Sequence, residues 1–119
     1  MLCPLLGSWR MFLINISHDY ELTRLEKLRN YEAVLKEAKS LVKSIDPETR
    51  IIFFGSVLRG DFSASSDIDI IVIPSDMVFK DRITLAVWKS IDAPIELHII
   101  TLEQFEEWYL RFIDTYREI

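Results

Sequence analysis

A chain of 119 residues, half of them hydrophobic, has the length of one domain and enough apolar content to bury a core, but no room for a second domain. The formal net charge of -5 argues against a protein that holds nucleic acid directly, because such affinity comes largely from Lys and Arg neutralising phosphates, and no local basic patch is present. The single Cys3 excludes an internal disulfide, and with only His18 and His98 available no zinc-type Cys/His cluster can be assembled; both facts suit a reducing cytoplasm.

The chain starts with an apolar run, M-L-C-P-L-L-G-S-W-R-M-F-L-I-N-I. It lacks a basic start, is interrupted by Arg10 and is too short to cross a bilayer, so no membrane segment is expected. Residues 1–18 read as an N-terminal extension, a locally packed terminus in preference to a surface for a partner, and residues 19–119 as the domain proper. Met11 is an alternative start.

From Asp19 to Ile45 the apolar residues Leu22, Leu25, Leu28, Leu35, Ala38, Leu41, Val42 and Ile45 recur mostly at three- and four-residue intervals, with charged residues between them. The spacing predicts an amphipathic helix, broken near Asn30, whose Leu stripe belongs to the core. Ser17 or Asp19 is placed to cap its start. Asp46-Pro47 ends it, because a residue before proline is pushed out of helical geometry.

Arg50 to Phe54 is a β-branched and aromatic run without a polar face, as expected of a strand covered on both sides. Gly55 ends it. Gly7, Gly55 and Gly60 are the only glycines, so two of the three fall within six residues, which points to close approach or an unusual backbone angle. The strand-to-helix turn at Gly55-Ser56 is either an ordinary turn or a backbone brought against a phosphate, with the Ser56 N–H and hydroxyl as donors. Arg59-Gly60 closes the short helix that follows, and residues 61–66 form a polar loop. Arg59 is available to a phosphate, to Asp67, or to a structural ion pair.

Ser66 to Ile73 reads as a buried central strand stopped by Pro74. Side chains alternate along a strand, so Asp67, Asp69, Ile71 and Ile73 share one face and Ile68, Ile70 and Val72 the other. Two like charges that close repel and raise one pKa, and an unpaired Asp69 amid Ile and Val would be costly. A bound cation or a basic group resolves both problems, and the cation reading is preferred to solvated residues at a strand end, so the pair outlines a metal site.

Asp76 to Ser90 shows a second helical pattern in Val78, Phe79, Ile83, Ala86, Val87 and Trp88, with Lys80, Asp81, Arg82 and Lys89 on a solvated face. Pro94 to Ile100 is a third strand, with Ile95, Leu97 and Ile99 on one face and Glu96, His98 and Ile100 on the other. His98 is read as a packed or edge histidine in preference to a ligand. Thr101-Leu-Glu-Gln104 has the form of a capping box, and the helix it opens carries Phe105, Trp108, Tyr109, Phe112, Ile113 and Tyr116 at helical spacing. That aromatic stripe is core first and partner surface second. The order helix, strand, short helix, strand, helix, strand, helix makes a small α/β domain with a mixed sheet.

G-S-x-x-R-G at Gly55–Gly60, followed by S-D-I-D at Ser66–Asp69 and each beside an apolar strand, resembles the signature of the DNA polymerase beta-like nucleotidyltransferase superfamily. The short chain is similar to the minimal nucleotidyltransferase branch, with a matching core from about Tyr20 to Ile100. The resemblance implies a sheet of three to four strands flanked by helices, with the site at one end. It also implies Mg²⁺-dependent transfer of a nucleoside monophosphate, AMP from ATP, onto an acceptor hydroxyl. Gly55, Ser56 and Arg59 would then bind the nucleotide, and two Mg²⁺ ions would sit on Asp67 and Asp69. The superfamily's third acidic residue lies on the strand after the second helix, usually as aspartate. Glu96 is the only carboxylate inside that strand here and is the candidate for this catalytic and metal role, although it is one methylene longer.

Minimal nucleotidyltransferases often pair with a helical HEPN protein, an RNase toxin that they neutralise by adding AMP to a tyrosine. That resemblance implies a protein partner and an antitoxin role for this chain. The alternative is a module of the same fold that neutralises a partner by masking it. An antibiotic-modifying enzyme is a weaker fit, since those generally carry an additional helical domain for the acceptor. The acceptor, base preference and oligomeric state stay open.

Overall fold

The structure, a computed structural model, describes residues 20–119. The N-terminal extension expected over residues 1–18 and the cap expected at Ser17 or Asp19 lie outside the described residues.

Helix α1 covers residues 20–29 and α2 covers Tyr31–Ile45, so the break falls at Asn30 as the spacing predicts. Leu28, Val34, Leu35, Ala38 and Val42 are buried along the inner stripe, whereas Leu22 is exposed and does not belong to it. Asp46 follows α2 in extended geometry (φ -141°, ψ 97°), the conformation that a residue before proline prefers.

Four strands follow: β1 (Arg50–Phe54), β2 (Ile68–Ile73), β3 (Ile95–Ile99) and β4 (Tyr116–Glu118). A short α3 (Ser56–Arg59) links β1 towards β2, and a 3₁₀ turn (Met77–Phe79) leads into α4 (Lys80–Ser90), which crosses over to β3. The sheet order is β3-β2-β1-β4. β2 pairs in parallel with β3, and β1 pairs antiparallel with both β2 and β4, so the sheet is mixed.

Strand alternation divides the apolar residues between two cores. Ile51, Phe53, Ile68, Ile70 and Val72 point to the larger one with α1, α2 and α4. Ile52, Ile71 and Ile73 point to the smaller one, which Phe105, Tyr109 and Ile113 close from the last helical segment. Burial on both faces is why β1 and β2 read as uninterrupted apolar runs.

The C-terminal segment departs from the expected single helix. Helix α5 spans residues 102–112, with α geometry over Leu102–Gln104, π geometry over Phe105–Tyr109 and α geometry again over Leu110–Phe112. Its capping box is present: the Gln104 N–H donates to the Thr101 hydroxyl at 3.1 Å, and the Thr101 N–H donates to the Gln104 side chain at 3.0 Å. Tyr116 is not on this helix but opens β4, which covers the outer edge of β1. There Arg117 bonds Glu32 at 2.8 and 3.1 Å and lies 5.5 Å above the Phe53 ring, while Arg50 bonds Glu118 at 2.5 and 2.9 Å. These tertiary contacts, together with the edge of β1, outweigh the helical spacing of the aromatic residues. Among the described residues, no helix is long and apolar enough to cross a membrane.

Candidate active site

β1 ends and β2 begins at the same end of the sheet, because the two run antiparallel and Phe54 pairs with Asp69. The parallel pairing of β2 with β3 then sets Glu96 directly beside Asp69 and His98 beside Ile71. Neighbouring strands lie about 4.8 Å apart, so the Asp69 and Glu96 carboxyls emerge as near neighbours on one face. One ligand atom from each of Asp69, Glu96 and His98 lies within 4.8 Å of the others. His98 Nε2 is 3.6 Å from Glu96 Oε1, and its ring sits between Phe54 and Tyr109, with centroids 5.8 and 6.0 Å away.

Gly55 shapes this corner. Its backbone (φ 90°, ψ -165°) is one that side chains with a Cβ rarely adopt, and a Cβ there would stand 2.1 Å from Asp69 Oδ2. Both reasons anticipated for a glycine, unusual angle and close approach, apply, and the group approached is a carboxylate. Gly60 ends α3 in the left-handed region (φ 82°), its N–H donating to the carbonyls of Ser56 and Val57.

Asp69 is held in its acid form well above the ordinary range. Burial pushes its pKa up to about 7, helped by a hydrogen bond to Glu96 and by the charges of Glu96 and Asp67, while Arg59 acts weakly in the opposite direction. Two carboxyls brought together in this way, with an imidazole beside them, make a donor set that a divalent cation fits by replacing the proton.

Of the expected site residues, Gly55, Ser56, Arg59, Asp69 and Glu96 all line one cavity of about 700 Å³. Asp67 stands apart, in the segment just before β2, where its carboxylate accepts a hydrogen bond from Arg24 of α1. Arg24 also donates to the carbonyls of Ala64 at 2.8 Å and Ser66 at 2.9 Å, so one guanidinium ties the polar loop, Asp67 and α1 together. Arg24 therefore takes the neutralising role considered for Arg59. Arg59 instead pairs with Asp61 at 3.4 Å. His98 packs between Phe54 and Tyr109, as its residue type favoured, and its ring also lies beside the carboxyls; the available signal for that was its place next after Glu96 on the same strand face.

The same cavity is also lined by Trp108, Tyr109, Phe112 and Ile113 of the last helical segment and its end.

The profile of the nucleotidyltransferase domain family matches residues 33–118, which takes in the whole sheet and every residue of the cluster. A crystal structure of a presumed nucleotidyltransferase is 34% identical to this chain, covers 71% of it and 96% of its own length, and superposes with a TM-score of 0.55. A second, from Sulfolobus solfataricus and also a presumed nucleotidyltransferase, has the same fold at 21% identity, covers 80% of this chain and 84% of its own, and gives a TM-score of 0.56. No curated protein matches the chain. With a four-stranded mixed sheet, a glycine turn set against the first strand carboxylate and a family match across most of its length, this chain belongs to the nucleotidyltransferase domain family.

Proposed function

We propose that the domain moves AMP from ATP onto an acceptor hydroxyl, the hydroxyl oxygen bonding the α-phosphorus as the α–β anhydride breaks and pyrophosphate leaves. The observation that carries this reading is the Asp69–Glu96 carboxyl pair at one end of the sheet, in the same cavity as Gly55, Ser56 and Arg59. Asp69, Glu96 and His98 would hold a divalent cation such as Mg²⁺. When bound, such an ion neutralises triphosphate charge and lowers the pKa of an acceptor hydroxyl. Ser56 brings a hydroxyl and Arg59 a guanidinium to the phosphates in that cavity, and Gly55 keeps the carboxylate corner free of side-chain atoms. Asp67 would hold a second ion in competition with its bond to Arg24.

The acceptor we assign is a tyrosine on a protein partner of the HEPN type, giving the chain an antitoxin role. Support comes from the acidic balance, which disfavours a nucleic-acid acceptor.

The test is transfer of label from α-labelled ATP, with Mg²⁺, to a co-expressed neighbouring protein. Transfer by the native chain that Asp69→Asn and Glu96→Gln abolish is the expected result; no transfer, or equal transfer by the variants, rejects the enzyme. The Arg24–Asp67 pair favours one second reading, a module that masks its partner without chemistry, which would neutralise the partner equally well as Asp69→Asn.

A further inference from the structure

We propose that the nucleobase of the bound nucleotide stacks against an aromatic wall made by Trp108 and Phe112, which makes these residues the base-binding half of the site. The inference rests on the nucleotidyl-transfer reading and adds to it the recognition of a planar aromatic base.

Trp108 and Phe112 are 62% and 76% exposed, although both line the cavity that holds Asp69, Glu96 and Arg59. The helix does not need them to stay on the sheet, because Phe105, Tyr109 and Ile113 make that contact. The rings of Tyr109 and Phe105 are engaged, Tyr109 edge-on to His98 and Phe105 edge-on to Tyr116. Trp108 and Phe112 have no ring partner among the described residues. Folding therefore gives no reason for large aromatic side chains at these two positions, and leaving them in water is a cost.

Local geometry singles out the same stretch. The N–H of Leu110 donates to the carbonyl of Phe105, closing a π turn around Trp108, and such turns in otherwise α-helical segments concentrate at functional sites. A volume of about 700 Å³ accommodates a small-molecule ligand. The lining combines two chemistries, the carboxyls, Ser56 and Arg59 from the strands and α3, and the aromatic side chains of α5. A nucleoside triphosphate likewise combines charged phosphates at one end with a π face at the other. Asp114 and Thr115, at the end of the aromatic wall, offer a carboxylate and a hydroxyl to the edge of a base.

The experiment compares calorimetric affinities for ATP and for inorganic tripolyphosphate, with Mn²⁺ present, in the native chain, Trp108→Ala, Phe112→Ala and Trp108→Phe. Stacking on an aromatic side chain predicts about ten- to a hundredfold weaker ATP binding by Trp108→Ala, with tripolyphosphate binding unchanged and ATP binding largely restored in Trp108→Phe. Phe112→Ala should shift ATP affinity in the same direction. Equal affinity of the native chain for ATP and tripolyphosphate overturns the proposal while leaving the transfer reading intact. So does Trp108→Ala that keeps full ATP affinity but loses transfer to the acceptor, which would make the wall an acceptor site. If the native chain binds neither compound, both the base wall and the transfer reading fall.

Discussion

Gly55 and Asp69 share one slot: the space that a Cβ on the glycine would fill is taken by the Asp69 carboxylate, with 2.1 Å to Oδ2. Alanine at this position would be strained by the positive φ of 90° and would have to push Asp69 out of its place beside Glu96. A residue forced into such a backbone costs on the order of 1–3 kcal/mol. Gly55→Ala should therefore lower the melting temperature by several degrees and also weaken Mn²⁺ binding, as followed by calorimetry. Gly60→Ala serves as the control: it shares the positive φ, at 82°, but its Cβ would meet nothing within 4 Å, so it should lose stability and keep the ion.

The raised pKa of Asp69 gives a pH dependence with a definite sign. Its folded-state value of about 7 lies above the ordinary 3.8, so between these values the folded chain holds a proton that the unfolded chain has released. Stability from this group is fully present below 3.8, is lost progressively as pH rises from there through 7, and changes no further above it. Asp69→Asn, which mimics the acid form, should melt close to the native chain below about pH 4 and above it at pH 8. The gain should be about 1 kcal/mol, reduced from the full linkage value because the group is partly solvated. Since a cation competes with the same proton, Mn²⁺ affinity of the native chain should climb up to about tenfold per unit below pH 7 and level off above it.

Arg24→Ala should move stability and cation affinity in opposite directions. Removing the guanidinium releases Asp67 and unties the carbonyls of Ala64 and Ser66, which should cost about 1–3 kcal/mol and open residues 61–66 to proteolysis. The same change removes a positive charge near the carboxyl cluster and leaves Asp67 unneutralised, so Mn²⁺ should bind more tightly. Weaker Mn²⁺ binding by a folded Arg24→Ala would show that Arg24 supports the ion site and does not compete with it.

What the sequence could reveal follows from the range of each interaction. Strand alternation placed Asp69 on the face of Ile71 and Ile73, and Glu96 with His98, because that rule is local. The glycine pair told of special backbone for the same reason. The partner of Asp67 was beyond reach, since Arg24 lies 43 residues away on another element and any exposed arginine reads alike in a helix. β4 was missed because three exposed residues carry no pattern of their own, and Tyr116 continued the spacing of the preceding helix. The open edge of β1, with the Arg117–Glu32 and Arg50–Glu118 pairs, makes that segment a strand.

Asp46 shows the same division. Its place before Pro47 marks the end of α2, but its carboxylate does more, accepting hydrogen bonds from the Ser75 N–H at 2.7 Å, the Ser75 hydroxyl at 2.9 Å and the Glu48 N–H at 3.3 Å. Burial pushes its pKa up, but the donors from Ser75 and Glu48 outweigh this and hold it below the ordinary value. Stability from this carboxylate is therefore present above its unfolded-state pKa and is lost as pH falls through the folded one. Asp46→Asn turns an amide NH₂ towards donors and should cost about 1–3 kcal/mol at pH 7 by urea denaturation, with the difference from the native chain shrinking in acid.

His98 should decide which ion the cluster prefers. Mg²⁺ is a hard cation that favours oxygen donors, whereas imidazole suits transition metals, so a site made of Asp69, Glu96 and His98 should bind Mn²⁺ more tightly than Mg²⁺. Part of that preference belongs to any carboxylate site, which is why the comparison has to be made within the protein. Replacing the ring by an amide, His98→Gln, keeps a polar side chain and removes the imidazole nitrogen donor. If the imidazole is a ligand, Mn²⁺ affinity should fall by about tenfold while Mg²⁺ affinity changes little, and the Mn²⁺ electron-paramagnetic-resonance spectrum should lose its nitrogen coupling. If the ring only packs between Phe54 and Tyr109, both ions should be affected alike and no nitrogen coupling should appear in the native chain. The ratio of the two affinities, and not either one alone, is the quantity that separates a ligand from a spacer.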